Sequence, residues 1–584
     1  MYKNLFMTAA LMAASLQINA QTTLATSYKG TGSANPISAS VFCADPTALE
    51  YNGRLYVYGS NDHQEFVANG KKGENTYGNI KSIVVFSTDD MVNWTFHGTI
   101  DTKKLCAGWQ PSVWYKGYGV SWAPSVTWRH NEETDVDEFF LYFCNSSHGV
   151  GVLRAESPIG PWKSPNKELM VHYDTPGANP SNTNANFDPG VTIDDNGVGW
   201  LSFGGLGPST LMPEAARIVK LKPSMTEIDG SAVKIHAPYH FEANELNYIG
   251  GKYVYTYCSN WANRSETAND WNAYKTEKGI SFSAPGTCTM CYMVSDNPLD
   301  PDSWVYKGVY GPHPGNGTNN NHSHLQKFQG KYYHLYHNAT LMEKMRDAGV
   351  IDNGTSIYRS LCVNEAKVDE STAKVSMVET NLTGVEAIKD VNPYELQEAE
   401  TMANCGGIEY EDFTNVKKNG RISSLGNDAS INMQVQMKEG AWMQIRKVDF
   451  GSQGALKLMV RAKGEGAVQF RFGRIGAKPS ATINVSSTEY DDYVVDVDPQ
   501  VFSGSKTVYI VATAATDLYL DAWQAFDATS GIQEMVNGKP SNSKFYDLSG
   551  RRLSGAQQHR GIVIEQYTDE NGVKHSRKVV SGKE

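Results

Sequence analysis

The segment Gly251-Lys-Tyr-Val-Tyr-Thr-Tyr-Cys258 is a turn followed by an aromatic-rich run, a pattern that is typical of a β-strand. It has four counterparts: Gly53-Arg-Leu-Tyr-Val-Tyr-Gly-Ser60, Glu138-Phe-Phe-Leu-Tyr-Phe-Cys-Asn145, Gly197-Val-Gly-Trp-Leu-Ser-Phe-Gly204 and Gly330-Lys-Tyr-Tyr-His-Leu-Tyr-His337. Their spacing of roughly 55 to 85 residues fits one four-stranded blade with its loops. The repeats predict an all-β fold that begins with a five-bladed β-propeller over residues 30–385.

A second motif precedes each repeat and carries a polar residue in four of five cases. The motifs are Ala44-Asp45-Pro46-Thr47, Trp122-Ala123-Pro124-Ser125, Phe187-Asp188-Pro189-Gly190, Phe241-Glu242-Ala243-Asn244 and Asn321-His322-Ser323-His324. Asp45 and His322 lie eight residues before their turn glycines, and Asp188 and Glu242 lie nine before theirs. Because the first strand of each propeller blade lines the central axis, we expect these side chains to meet at its mouth.

Three clustered carboxylates point to chemistry rather than to stability. Like charges repel and raise one another's pKa, so a fold does not gather them without a use. Glycoside hydrolysis needs one protonated carboxyl for the leaving oxygen and one ionised carboxyl for water or the sugar. A third carboxylate nearby can keep the acid protonated. Asp45, Asp188 and Glu242 could fill these three roles.

The motifs, with Asp194-Asp195-Asn196-Gly197, resemble glycoside hydrolase family 43 over roughly residues 35–370. The resemblance implies an inverting enzyme acting on xylan, arabinoxylan or arabinan. It implies that Asp45 is the general base, that Glu242 is the general acid, and that Asp188 tunes and orients the acid. In an inverting enzyme the acid and base carboxyls stand ~6.5–9.5 Å apart, which leaves room for a water molecule.

The resemblance also implies residues that contact the sugar or a metal. Trp122 is expected at the substrate, and Arg359 lies near the sugar or near Asp188, although an ordinary surface ion pair would also suit Arg359. His322 resembles the central His that faces an axial calcium ion. Because calcium prefers oxygen, that contact could run through water, and a plain buried His is the alternative. The hydrolysis itself is expected to need no cofactor.

Two positions depart from the family pattern. Glu245 follows Glu242 closely and is a rival for the general acid, although strand alternation places the two on opposite faces and the nine-residue spacing favours Glu242. Ser125 stands where Asp is commoner, which could alter a contact with the substrate.

Residues 393–527 read as short alternating strands and predict a β-sandwich of the jelly-roll type. Asp449-Phe-Gly-Ser452, Leu456-Lys-Leu-Met-Val-Arg-Ala462 and Leu518-Tyr-Leu-Asp-Ala-Trp523 resemble a family 6 carbohydrate-binding module. The resemblance implies that Glu400 and Asp521 bind a structural calcium ion. It places Tyr490 as a ring that stacks on sugar, with simple strand packing as the alternative. Tyr519 replaces the family's binding Asn, so an altered cleft is expected.

The two ends of the chain suggest export. Residues 1–20 combine Lys3, a short apolar run and a small residue at Ala20, which is typical of a signal peptide, although a buried N-terminal helix would also fit. Residues 530–584 predict a small β domain. Phe545-Tyr-Asp-Leu-Ser-Gly-Arg-Arg-Leu553 and Gly561-Ile-Val-Ile-Glu565 resemble sorting domains of type IX secretion, and a purely structural tail is the alternative. We expect a secreted, periplasmic or cell-surface protein.

The formal net charge of -11 argues against a nucleic-acid partner, and no apolar run is long enough to span a membrane. The expected partner is plant cell-wall polysaccharide. We predict an α-L-arabinofuranosidase acting on arabinoxylan, with a β-xylosidase and an arabinan-active hydrolase as alternatives. A non-catalytic glycan-binding protein is the alternative of another class. A fructan hydrolase is disfavoured because Cys43-Ala-Asp45-Pro-Thr47 lacks an Asn-Asp-Pro-Asn-Gly motif.

Overall fold

The computed structural model describes residues 22–528 except 73, 114, 179–184, 262, 263, 265, 316–319, 353–356 and 409–432, and four strands after residue 528. The chain divides into two compact units, Met1–Asp527 and Ala528–Glu584. The predicted signal peptide, residues 1–20, lies outside the described residues. In the described part of the chain, no helix is both long and apolar enough to cross a bilayer.

Five antiparallel sheets follow one another from residue 44 to residue 366, which confirms the predicted propeller. Blade 1 holds β1 (Ala44–Tyr51), β2 (Arg54–Ser60), β3 (Ile83–Thr88) and β4 (Trp94–Ile100); blade 2 holds β5 (Trp122–Asn131), β6 (Val136–Cys144) and β7 (Val150–Ala155); blade 3 holds β8 (Gly190–Ile193), β9 (Gly199–Phe203), β10 (Arg217–Leu221) and β11 (Ile228–Lys234); blade 4 holds β12 (His240–Ile249), β13 (Lys252–Ser259), β14 (Met290–Ser295) and β15 (Val305–Gly311); blade 5 holds β16 (Ser323–Phe328), β17 (Lys331–Asn338) and β18 (Ser360–Ala366). The aromatic repeats form the second strand of each blade.

Three of the first hairpins close through two-residue turns with positive φ at both residues. These turns are Asn52-Gly53, Gly250-Gly251 and Gln329-Gly330. A type I′ turn needs this geometry, and its twist matches that of the paired strands. The turn residues therefore set the register that carries each polar motif to the axis.

Short helices lie in the connections between strands. They are α1 (Asp62–Asn69), α2 (Thr102–Leu105), α3 (Ala268–Lys278) and α4 (Thr340–Asp347). The first of them, α1, begins directly after β2 and buries both Asp62 and Glu65. Buried carboxylates at the start of a helix need partners, and the candidate site supplies them.

The chain ahead of blade 1 closes the ring. The Ile37 N–H donates to the Leu361 carbonyl at 2.8 Å. The Asn35 side chain exchanges hydrogen bonds with the backbone of Val363 in β18, at 2.8 Å and 2.9 Å. The first and last blades are thus tied together, and the edge of blade 5 is covered.

A β-sandwich follows the propeller, as predicted. After a small hairpin of β19 (Val368–Asp369) and β20 (Lys374–Val375), its strands are β21 (Gln397–Glu398), β22 (Thr401–Met402), β23 (Asn404–Gly406), β24 (Val435–Met437), β25 (Trp442–Asp449), β26 (Lys457–Phe472), β27 (Ala481–Asp496) and β28 (Ser505–Phe526). The main sheet runs β23-β25-β28-β26-β27, and β21 and β24 also pair with β28.

The sandwich contacts blade 1 and contributes one strand, β22, to its sheet. β22 pairs with β4, with Thr401 opposite Thr95 and Met402 opposite Trp94. Asn93 and the Arg446 backbone exchange two hydrogen bonds of 2.9 Å. One apolar cluster runs through both parts, so propeller and sandwich share a core.

The second unit contains four antiparallel strands, as the predicted small β domain requires. They are β29 (Lys544–Tyr546), β30 (Arg552–Leu553), β31 (Gly561–Thr568) and β32 (Lys574–Ser581), in the sheet order β30-β29-β31-β32.

Candidate active site

Backbone distortions place the predicted carboxylates at the axial mouth. The pairing register shifts after Ala44 in β1, after Trp122 in β5 and around Glu242 in β12. Asp45 and Asp188 have φ of 50° and 48°, and such values are uncommon outside glycine. Bulges and positive φ re-aim side chains and concentrate at functional sites. The sequence motifs mark the points where the strands bend.

Asp45 is a buried carboxylate held in the ionised form. Its Oδ1 accepts a 2.6 Å hydrogen bond from Arg359 Nη1. Burial opposes the charge, but the Arg359 guanidinium lowers the pKa of Asp45 to about 2. The flanking His337 and His322 are neutral at pH 7, because burial lowers their pKa to about 3 and about 4. Arg359 is therefore the cation that ionises Asp45.

Arg359 is a buried hub and not a surface ion pair. Two of its nitrogens bind Asp62 at 2.9 Å, and Nη1 also donates to Asn320 Oδ1 at 2.8 Å. Its guanidinium lies 5.3 Å from the Tyr77 ring centroid. With 2% of its surface exposed, Arg359 is fixed by two carboxylates from blade 1.

His337 fixes the backbone of Asp45. Its Nδ1 accepts the Asp45 N–H at 3.1 Å, and its Nε2 faces the Asn320 carbonyl at 3.0 Å. This pattern assigns the neutral tautomer with the proton on Nε2. The aspartate is thus positioned through both its carboxylate and its amide.

Asp188 and Glu242 form a coupled pair in unequal surroundings. Asp188 Oδ2 accepts the Ala243 N–H at 2.8 Å, and Oδ1 lies 3.6 Å from the Cys144 thiol. Among the described residues, the hydrogen-bond partner of Glu242 Oε1 is the Asn320 amide, at a long 3.5 Å. Donors favour the charged form of a carboxyl group, so Asp188 carries the charge and Glu242 holds the proton.

The pKa values of Asp188 and Glu242 lie in the same order. Burial and the charge of Asp45 raise the pKa of Asp188 to about 7. Burial, followed by the charges of Asp188 and Asp45, raises the pKa of Glu242 well above its usual range. The mouth therefore presents an ionised carboxylate at Asp45 and a protonated carboxyl at Glu242.

Glu245, the rival acid, is fully buried and points elsewhere. Its Oε2 accepts from the Ser125 hydroxyl at 3.1 Å and lies 3.3 Å from His324 Nδ1. Ser125 itself is buried and also accepts the Val191 N–H at 3.0 Å. Glu245 and Ser125 form an internal contact between blades, and the predicted effect of Ser125 on a substrate contact stays a prediction.

The wall of the site contains residues that the sequence analysis missed. Tyr77 has φ of 58°, and its carbonyl accepts the Trp122 indole N–H at 2.9 Å. The carboxylates of Asp62 and Glu65 hold the loop below it: Asn75 Nδ2 donates to Asp62 at 2.9 Å, and the Asn79 N–H donates to Glu65 at 2.7 Å. His337 was discoverable, because it ends the fifth aromatic repeat, but a loop such as 74–79 gives no repeat signal.

The predicted metal residues show mixed environments. In the described residues, no three His, Cys, Asp or Glu side chains gather as a metal-binding group. His322 Nδ1 lies 3.7 Å from Asp45, and its buried Nε2 has no hydrogen-bond partner, so an axial ion would be reached through water. In the sandwich, buried Glu400 Oε2 has no partner and suits a cation, whereas Asp521 is paired with Arg461 at 3.0 Å.

The predicted sugar-stacking ring of the sandwich is partly covered. Lys463 Nζ lies 4.8 Å from the centroid of Tyr490 and 5.4 Å from that of Tyr519. Gln436 donates to the Tyr519 hydroxyl at 3.2 Å. Tyr519, which stands in place of the expected Asn, therefore shares the Lys463 ammonium with the ring of Tyr490.

Comparison with known proteins covers both domains. Residues 33–366 match the model of glycosyl hydrolases family 43, and residues 398–528 match the carbohydrate binding module of family 6. An arabinoxylan arabinofuranohydrolase of Paenibacillus polymyxa is 33% identical over 543 residues, which are 90% of this chain and 79% of that protein. One from Bacillus subtilis is 34% identical over 80% of this chain and 86% of that protein.

The two-domain arrangement also has a solved counterpart. The crystal structure of a family 43 arabinoxylan arabinofuranohydrolase from Bacillus subtilis, in complex with cellotetraose, superposes with a TM-score of 0.72. It is 32% identical and covers 86% of this chain and 99% of that chain. The likeness therefore extends beyond the propeller into the sandwich.

Proposed function

The chain belongs to glycosyl hydrolases family 43 and is a glycosidase, and we propose that it removes α-L-arabinofuranosyl side chains from arabinoxylan with inversion of configuration. One observation carries the proposal: Asp45, ionised by Arg359, and Glu242, whose pKa is raised well above its usual range, are buried at one mouth where Arg359 and Glu242 both contact Asn320. The arabinofuranohydrolases that resemble this chain over most of its length support the choice of sugar.

The carboxyl groups divide the reaction between them. Glu242 donates its proton to the glycosidic oxygen as the bond to the anomeric carbon breaks. Asp45 accepts a proton from the water that attacks the same carbon from the opposite side, so the released sugar has inverted configuration. Asp188 keeps the acid protonated by its charge, and it holds the strand that carries Glu242 through the Ala243 N–H.

Aromatic rings flank the pocket on two sides. Tyr77 and Trp122 meet at a ring-centroid distance of 6.2 Å and a 71° angle on one side. Phe241, directly before the acid, meets Trp261 edge-to-face at 4.6 Å, and Trp261 is 43% exposed. Exposed indole faces suit the CH-rich faces of sugars. We assign Trp122 and Trp261 to the walls that hold the substrate around the scissile bond.

The proposal also covers the sandwich and the two ends of the chain. Glu400 and Asp521 would hold a structural calcium ion in the sandwich, where its charge would neutralise a buried carboxyl. Tyr490 would contact the polysaccharide. Residues 1–20 and 530–584 support export to the periplasm, the cell surface or the medium.

Sugar release tests the proposal. Wild-type protein is incubated with wheat arabinoxylan, debranched arabinan, unsubstituted xylan, and the nitrophenyl arabinofuranoside and xyloside. We expect arabinose from arabinoxylan and turnover of the arabinoside. Turnover of the xyloside alone would support the β-xylosidase, and binding without release from any substrate would leave a glycan-binding protein. The anomer released first, followed by NMR, tests inversion.

A further inference from the structure

A second cleft opens beside the Tyr77–Trp122 pair. It has a volume of ≈ 700 Å³ and is lined in part by Trp122, whose indole N–H donates to the carbonyl of Tyr77, next to Arg359. The rest of its lining comes from three stretches of the described chain in blades 1 and 2: 76–81, 112–113 with 115–120, and 145–148. A polysaccharide with one side chain in the catalytic pocket would bring its neighbouring sugars close to this cleft.

The charge of this cleft is opposite to that of the chain. The side chains that line it include Lys81, Lys116 and His148, and none of its described lining residues is Asp or Glu. The whole chain carries a formal net charge of -11. Burial and the nearby Lys103 lower the pKa of Lys81, while Glu65 acts in the opposite direction.

The loop 117–120 that forms one edge of the cleft is firmly held. Buried Asn145 accepts the N–H groups of Gly119 and Val120 at 2.7 Å and 3.1 Å and donates to the Gly117 carbonyl at 3.0 Å. The Lys81 ammonium donates to the Gly119 carbonyl. Lys116 precedes this loop, is exposed, and makes no ion pair within the described part of the chain. The cleft thus combines a fixed frame with an available ammonium.

We propose that this cleft binds the carboxylate of a hexuronic acid substituent carried by the xylan, with Lys116 as its principal cation. The proposal rests on the proposed function, because it places the acidic sugar on the same polymer whose arabinose occupies the catalytic pocket. A lysine donates to a carboxylate as a mobile point charge, and the partly exposed Tyr118 offers ring surface to the sugar.

Paired substrates test the idea. Arabinose release is measured on arabinoxylan with and without hexuronic acid substituents, matched in arabinose content, for wild type, Lys116→Ala and Lys116→Arg. We expect wild type to favour the acidic polymer in kcat/KM by roughly two- to fivefold, since one solvent-exposed ion pair contributes about that much. Lys116→Ala should remove the preference, Lys116→Arg should keep most of it, and 0.5 M NaCl should weaken it.

Controls separate this inference from the proposed function. Lys104→Ala removes an exposed lysine outside the cleft and should leave the preference intact. Equal rates on both polymers in wild type, or a preference that survives Lys116→Ala, would overturn the uronate site while leaving arabinofuranosidase activity standing. Absence of arabinose from the neutral polymer would overturn the proposed function instead. Binding of a hexuronic acid-substituted xylo-oligosaccharide to the Glu242→Gln protein, followed by calorimetry, then still tests the cleft: loss of that binding in Glu242→Gln with Lys116→Ala supports it, and unchanged binding contradicts it.

Discussion

The propeller and the sandwich both bury acids beside an arginine, with different results. In the propeller, Arg359 binds Asp45 and Asp62, and among the described residues no cation is paired with the nearby Asp188 or Glu242. In the sandwich, Arg461 pairs with Asp521, and Lys463 covers the predicted sugar-binding ring.

The contrast shows what makes buried charge reactive. When a cation is paired with one carboxyl and not with its neighbour, the pKa values of the two move apart. Catalysis by an acid and a base requires such a difference. A carboxyl that has its own cation, as Asp521 has Arg461, is held as a stable ion pair instead. The propeller mouth is organised for proton transfer, and the sandwich is organised to hold its own side chains.

The largest expected effect comes from replacing the proposed general acid, Glu242, or the proposed general base, Asp45. Glu242→Gln and Asp45→Asn should each lower kcat on arabinoxylan by ~10²–10⁴-fold, because each removes a positioned acid or base. Glu245→Gln is the matched control from the same strand, and it should keep kcat within about tenfold because its carboxyl serves Ser125 and His324. Steady-state kinetics on soluble arabinoxylan measure all three.

The opposite pattern would relocate the acid. Activity that survives Glu242→Gln but is lost in Glu245→Gln would contradict the assignment of the proton to Glu242. Circular dichroism of each variant shows whether the fold is retained, since Glu245 is completely buried.

The shared core makes the two regions one folding unit. A chain ended at residue 392 loses β22 from the edge of blade 1 and exposes side chains such as Trp94 and Phe96. Exposing each large apolar side chain costs about 1.5–3 kcal/mol, against a total stability of about 5–15 kcal/mol. We expect this chain to aggregate or to melt far below the full-length protein in a thermal denaturation scan.

A chain ended at residue 527 is the control. It removes only the second unit and should keep both its melting temperature and its activity. A propeller that melts at the full-length temperature after truncation at 392 would show that the sandwich adds nothing to its stability.

The repeated motifs of the sequence predict the strands of the blades and the positions of the carboxylates, but they do not predict contacts between different blades. The five aromatic strands and the equivalent positions of Asp45, Asp188 and Glu242 follow from local patterns that recur along the chain. The partners of Arg359 do not, because Asp62 and Tyr77 come from a helix and an irregular loop between β2 and β3 of blade 1, which carry no repeat signal. Their roles depend on ring closure, which brings blade 5 beside blade 1 across almost 300 residues, as in the Arg359–Asp62 separation of 297.

A smaller effect on activity is expected from removing the charge of Asp188, which acts on the pKa of Glu242. Asp188→Asn removes a charge that raises the pKa of Glu242, so that pKa should fall. Activity on the alkaline side is lost when Glu242 deprotonates, and the alkaline limb of kcat/KM should therefore move to lower pH by about one unit. We also expect kcat to fall about 10–100-fold. A pH–rate profile with nitrophenyl arabinofuranoside measures both.

Asp194→Asn is the control for that shift. Asp194 lies in the same blade but binds Trp200 and Tyr253 at 2.9 Å and 2.7 Å, away from the mouth. Its variant should keep the wild-type limb. An unmoved limb in Asp188→Asn would mean that the charge at 188 does not govern the acid.

The smallest expected effect lies in the sandwich, where Lys463 competes with the sugar for the Tyr490 ring. A cation–π contact at an exposed site contributes about 0.5–1 kcal/mol, so Lys463→Ala should strengthen xylan binding by about two- to fivefold. Tyr490→Ala should abolish that gain in the double variant, while Lys457→Ala, which breaks the exposed pair with Asp496, should change nothing. Affinity electrophoresis in the Glu242→Gln background measures binding without hydrolysis. Weaker binding in Lys463→Ala would mean that the lysine itself contacts the glycan. The sandwich would then bind its ligand with a cation, as is proposed for the propeller.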